Sequence, residues 1–168
     1  MSSKVWRHKP LSPDELLGRV EPDGRVYASE LGPDQYVGRV ELDSGQIWEA
    51  RFGPDKLIGR VTLDSGKVYR AQFGPDDYVG RADDDGKLYR HKPLAADDYL
   101  GHVEPMPSFG HAGAALLLLL LPAWEAVQAE HKAAEEKAAA EKAAARQAKK
   151  DVQAAQDAAD APTRTRKA

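Results

Sequence analysis

Arginine is the residue this chain places most regularly. Arg19, Arg39, Arg60 and Arg81 each follow a glycine, at steps of 20, 21 and 21, and His102 takes the fifth place after a further 21. Guanidinium groups repeated along one sheet face are suited to anions, because their planar forks match phosphate and carboxylate oxygens. Strand pairing puts Arg70 opposite Arg60, Arg90 opposite Arg81 and Arg7 opposite His102. Like charges facing each other are unfavourable, so something must compensate them: carboxylates of the adjacent repeats, or an anionic partner such as a lipid headgroup. Arg19, Arg39, Arg60, Arg70, Arg81 and Arg90 are therefore the candidate anion contacts.

Other reactive residue types are thinly spread. His8 and His91 occupy equivalent repeat positions, with His102 and His111 further along, but a zinc site needs three or four ligands that converge. Polar, hydrogen-bonded histidines are the simpler expectation. Asp23, Asp43, Asp64 and Asp85 stand in tight turns, where aspartate is favoured for backbone reasons, and their oxygens lack the spacing of a calcium loop. There is no cysteine, hence no thiolate ligand, disulfide or thiol nucleophile. Neither a phosphate-binding glycine loop nor a spaced carboxylate pair is visible. The chain reads as noncatalytic and free of cofactors and metals. A net charge of −3 argues against nucleic acid as a partner. The first ten residues, MSSKVWRHKP, lack an apolar signal segment, so the expected location is cytoplasmic or membrane-peripheral.

The elements that must carry the arginines follow from the repeat. Each Gly-Arg or Gly-His follows an apolar pair, and each pair follows a corner: Pro13-Asp14, Pro33-Asp34, Pro54-Asp55, Pro75-Asp76 and the weaker Ala96-Asp97. Inside each unit lies a tighter turn, Asp23-Gly24, Asp43-Ser44-Gly45, Asp64-Ser65-Gly66 or Asp85-Gly86, the signal of a β-hairpin with glycine at positive φ. A three-residue loop at Asp43–Gly45 pairs Val40 with Trp48, Gly38 with Ala50 and Tyr36 with Phe52, all on one apolar face. Val37, Arg39, Glu41, Ile47, Glu49 and Arg51 then lie on the wet face. KVWRHKPL (4–11) nearly duplicates KLYRHKPL (87–94), so the chain begins half-way through a unit and ends the series on an unpartnered half. The two halves complete each other. The expected fold is a closed barrel of five hairpins and ten antiparallel strands, which leaves no open sheet edge.

Ala112–Leu121, AGAALLLLLL, is apolar on every side and too short to span a bilayer, as a buried core helix is. A ten-stranded barrel is wider than one its own side chains fill, and the waist is lined by Gly18, Gly38, Gly59, Gly80 and Gly101. We therefore expect a helix at 111–121 to plug the lumen with Leu116, Leu117, Leu118, Leu119, Leu120 and Leu121. Ser29, Ala50, Ala71, His91 and His8 should face the glycines. Trp6, Tyr27, Trp48, Tyr69 and Tyr89 should point inward on one level, and Leu31, Phe52 and Phe73 on the other. Pro122 suits the first turn of a new helix at a different angle.

Residues 122–161 are rich in Ala, Glu and Lys, strong helix formers without a leucine heptad, and predict a solvated helix. The basic end 162–168 predicts disorder. The domain reading is 1–121, 122–161 and 162–168. The GR-V-x-x-D-G-x-V-Y repeat with its Pro-Asp corner resembles the β-flower family, shallow barrels of hairpin petals, which also looks like the tubby and scramblase-like barrels. That resemblance implies lipid or membrane association and no particular reaction. The leading expectation is a structural or interaction module that displays its long helix to a protein partner or to another copy. The alternative is a lipid-associated protein holding anionic headgroups through the arginine band, or releasing its leucine helix into a membrane.

Overall fold

In the computed structural model, which describes residues 1–162, ten antiparallel strands close into a barrel in the ring order β1-β10-β9-β8-β7-β6-β5-β4-β3-β2. They are β1 (Ser3–Arg7), β2 (Glu15–Val20), β3 (Arg25–Ala28), β4 (Gln35–Val40), β5 (Gln46–Glu49), β6 (Lys56–Val61), β7 (Lys67–Arg70), β8 (Asp77–Ala82), β9 (Lys87–Arg90) and β10 (Asp98–Glu104). Ring closure is the expected one: β1 pairs with β10, with Val5 opposite Val103 and Arg7 opposite Gly101. After β10 come α1 (Phe109–Ala115), a π-helical turn (Leu116–Leu120) and α2 (Leu121–Ala159). The chain divides into two compact units, Met1–Glu125 and Ala126–Ala168. In the second, the described residues are helical to Ala159 and solvent-exposed almost throughout. The basic end expected to be disordered lies, from residue 163 on, outside the described residues.

The hairpin register differs by one residue from the sequence expectation. Val40 pairs with Ile47, Arg39 with Trp48 and Gly38 with Glu49. The turn responsible is one residue longer than Asp-Ser-Gly alone: Glu41 and Gln46 still bond across it, and Leu42–Gly45 form the loop, with Gly45 at φ +74°. A one-residue shift turns every side chain of the second strand to the other face. Trp6, Tyr27, Trp48, Tyr69 and Tyr89 are consequently half-buried residues outside the core, and their neighbours Val5, Val26, Ile47, Val68 and Leu88 are fully buried. The residues facing the glycines are corrected too: Arg7, Ala28, Glu49, Arg70 and Arg90. Leu31, Phe52 and Phe73 close over nothing, being entirely exposed.

The core has two complementary levels. On the level nearer the tight turns, large strand residues form cross-strand pairs, Val20–Val26, Val40–Ile47, Val61–Val68, Ala82–Leu88 and Val103–Val5. Where one partner shrinks to Ala82 the other grows to Leu88, conserving volume. The helix is small on this level: a Cβ on Gly113 would lie 2.5 Å from the Cβ of Val61. On the next level the sizes are exchanged. The strands carry glycine, and a Cβ built on Gly80, Gly59, Gly38 or Gly18 would lie 3.1, 2.8, 3.0 or 3.1 Å from a δ-methyl of Leu116, Leu117, Leu118 or Leu119, respectively. All of Gly110–Leu121 is buried.

Consecutive leucines thus meet consecutive hairpins. Five hairpins around a ring are about 72° apart, whereas an α-helix turns about 100° per residue. A π-helix, with its i→i+5 bonds, turns only about 80–85° per residue, close enough for one leucine per hairpin. Leu121 borders the same cavity as Tyr78 and Val79 of β8, in keeping with that stepping. Pro122 explains where the π turn falls. Proline donates no hydrogen bond and its ring crowds the carbonyl four residues back; here Leu121 N–H bonds the Leu116 carbonyl five residues back, widening the turn just before the proline. The helix continues through Pro122 rather than restarting at a new angle.

Gly59 is doubly constrained, since an added Cβ would also overlap the Tyr69 carbonyl oxygen. Gly59→Ala should lower stability by about 2–4 kcal/mol in thermal or denaturant unfolding. Leu118→Asp, which places an unpaired carboxylate at a site 8% exposed, should abolish cooperative melting. A soluble Leu118→Asp variant with a normal transition would refute this packing.

Candidate functional site

The arginine band is present, but its charges are already engaged. Arg39 reaches Asp55 at 2.5 Å, Arg60 reaches Asp76 at 2.9 Å, Arg81 reaches Asp97 at 3.4 Å, and Arg19 bonds Asp34. In the fifth place His102 Nδ1 lies 3.6 Å from Asp14. Each Gly-Arg arginine is therefore clasped by the aspartate of the following corner, Pro-Asp in three cases and Ala96-Asp97 for Arg81, and His102–Asp14 closes the circuit across the chain ends. The two strongest repeat signals in the sequence are the two ends of one ion pair.

Aromatic rings complete each clasp. Strand pairing sets Tyr27, Trp48, Tyr69 and Tyr89 opposite Arg19, Arg39, Arg60 and Arg81. The guanidinium carbons stand 4.8, 5.6, 4.4 and 4.6 Å from the respective ring centres. Each such cation–π contact contributes about 0.5–1 kcal/mol at an exposed site, and each exposed ion pair about 0–1 kcal/mol. Arg60 thus faces Tyr69 rather than Arg70, and Arg81 faces Tyr89 rather than Arg90. Cations do face each other across the corner-joined pairs, Arg25 with Arg39 and Lys67 with Arg81, where the corner aspartates offset them.

Arg70 and Arg90 come together beside Trp124 and Glu125 of α2. Arg70 bonds Glu125 at 2.6 Å; Arg90 bonds Asp98 at 2.7 Å and lies 3.9 Å from the centre of the Trp124 ring. With Tyr78, His91 and Leu121 they border a shallow cavity of about 420 Å³. Both cations in it are neutralised. Sequence reasoning missed Trp124 and Glu125, which carried no repeat signal.

The histidines do not converge. His8 and His91 each bond the aspartate of their own corner, Asp14 and Asp97, at 3.1 Å. Among the described residues no three His, Cys, Asp or Glu side chains are grouped as a metal would need. Asp23 and Asp85 have the backbone role expected of turn aspartates, accepting the N–H groups of Arg25 and Lys87 at 3.1 Å. Glu21 is held below its ordinary value, first by the Ser2 hydroxyl and then by Arg19.

His111 stands apart. It is 4% exposed at the start of the buried helix, with Nδ1 2.8 Å from Ser108 Oγ. Burial pushes its pKa below the ordinary 6.5, partly opposed by the Pro22 and Glu21 carbonyls.

No family model, curated protein or solved structure matches the chain.

The His111 shift sets a pH dependence. The unfolded chain takes up a proton as pH falls through about 6.5 while the folded protein resists, so the folded state loses stability below that pH. The slope approaches at most about 1.4 kcal/mol per pH unit. Urea unfolding between pH 7.5 and 5.5 should show this loss, and His111→Leu should flatten it.

Proposed function

We propose that this protein is a noncatalytic interaction module: a hairpin barrel of β-flower type that grips the apolar stretch of its helix in the lumen and presents the polar remainder to a protein partner or a second copy. The supporting observation is the division of labour along one continuous helix. Gly110–Leu121 is buried, with leucines against glycines of four strands, whereas beyond Val127 every described residue is exposed. The apolar window of Phe109–Ala159 is long enough by composition to cross a membrane, but in the folded protein its leucines are covered. Releasing them would expose six buried leucines to water and empty the glycine level, at about 2–5 kcal/mol for each cavity-forming loss. A firmly held root and a bare shaft suit display.

The second reading, headgroup binding through the arginine band, draws less support. An anionic headgroup would have to displace a carboxylate from each of Arg19, Arg39, Arg60, Arg70, Arg81 and Arg90.

A photocrosslinking residue placed at Ala138, Ala145 or Val152 on the helix, compared with Lys67 on the barrel, tests the display reading in cells. A discrete adduct formed from the helix positions and absent from Lys67 is the expected result. Adducts from Lys67 alone would overturn it.

A further inference from the structure

Five apolar side chains stand in full solvent exposure at equivalent places in the five corners: Leu11, Leu31, Phe52, Phe73 and Leu94, with relative exposures of 106, 109, 112, 109 and 107%. Each corner precedes the first strand of a hairpin, so the five form a collar at one rim of the barrel. Nothing lies within 4 Å of where a Cβ on the adjoining Gly32, Gly53 or Gly74 would be, so these tips stand clear of the rest of the protein. Leu11 and Leu94 are held at φ +64° and +60°. A bulky residue occupies that region at a cost, yet the side chains point into water.

The helix leaves the barrel on one side of this collar. Trp124 stacks on Arg90 and Glu125 bonds Arg70; these arginines are the last residues of the strands that lead into the corners of Leu94 and Phe73. Leu31 lies opposite, flanked by Leu11 and Phe52. We propose that Leu11, Leu31 and Phe52 insert into the surface of a lipid bilayer and dock this side of the barrel on it.

The choice of lipid over a protein partner follows from the spacing and the charge. With two tilted strands per hairpin, neighbouring tips are about 12 Å apart. Each tip is a single, fully exposed side chain, whereas a protein partner needs a continuous, complementary patch of about 800 Å². A fluid acyl layer accepts isolated side chains at any spacing. The cations beside the tips are paired, Lys9 with Glu15 at 3.0 Å and Arg51 with Glu49 at 2.8 Å, and the corner aspartates are held by arginine or histidine. Glu30, beside Leu31, has no ion pair among the described residues, and the cations near the tips are neutralised, so uncharged acyl chains rather than anionic headgroups supply the attraction. This inference is independent of helix display and of the arginine-band reading.

The full chain should co-float with vesicles of phosphatidylcholine alone, and adding phosphatidylglycerol should change binding less than about threefold. Replacing Leu11, Leu31 and Phe52 together by serine should reduce partitioning about a hundredfold or more without altering the melting curve. Phe73→Ser with Leu94→Ser should reduce it less than about threefold. Because the chain has no cysteine, Leu31→Cys carrying an environment-sensitive fluorophore gives a second readout, a blue shift on adding vesicles. The proposal is overturned by absence of flotation and blue shift, by equal loss in the two serine variants, or by binding that requires phosphatidylglycerol and disappears in salt. A concentration-dependent dimer that the triple serine variant abolishes, without vesicle binding, would assign the tips to self-association instead.

Discussion

The contact on which the structure depends is between a leucine and a glycine, made four times in succession. Leu116, Leu117, Leu118 and Leu119 press on Gly80, Gly59, Gly38 and Gly18 of β8, β6, β4 and β2. A helix whose residues advance about 100° would fall out of step with five hairpins by the third leucine. The π turn brings the step nearer to the spacing of the strands, and Pro122 marks where that turn ends. Backbone geometry, a run of identical side chains and the number of repeats are thus conditions on one another. Changing the number of hairpins would require a different helix.

The barrel is assembled from a single module used five times with substitutions that keep its balance. The Gly-Arg arginine holds the next corner's aspartate and lies against an aromatic ring of its own hairpin, while the turn glycine's carbonyl takes the N–H of the next hairpin: Gly24 from Val40, Gly45 from Val61, Gly66 from Ala82 and Gly86 from Val103, each at 2.9 Å. Neighbouring hairpins are tied at both ends by these bonds. Their individual strengths are small, but closure lets each one hold its neighbours in register.

The sequence carried the count of repeats, the closure through complementary halves, the corners, the tight turns and the buried leucine stretch. It did not carry which face of each second strand points inward. Val26-Tyr27, Ile47-Trp48, Val68-Tyr69 and Leu88-Tyr89 are apolar at both positions, so alternation offers no choice, and one residue of turn length decides it. With the aromatics turned outward, the arginines acquired partners that residue spacing alone had not revealed. The clasp itself was open to view: five Gly-Arg or Gly-His sites and five aspartate corners call for pairing once each arginine is matched with the following corner. Leu31, Phe52 and Phe73 were assigned to the core because they are apolar, and that inference fails for a residue at a loop tip. Trp124 and Glu125, outside the repeat, could be placed only by the course of the helix.

The most direct test of this packing is a nuclear Overhauser experiment on protein carrying labelled leucine methyl groups. The δ-methyls of Leu116, Leu117, Leu118 and Leu119 should show contacts to the α-protons of Gly80, Gly59, Gly38 and Gly18 in that order, one leucine to one hairpin. Leucine methyls that contact no glycine, or that each contact the glycines of several hairpins, would contradict the account.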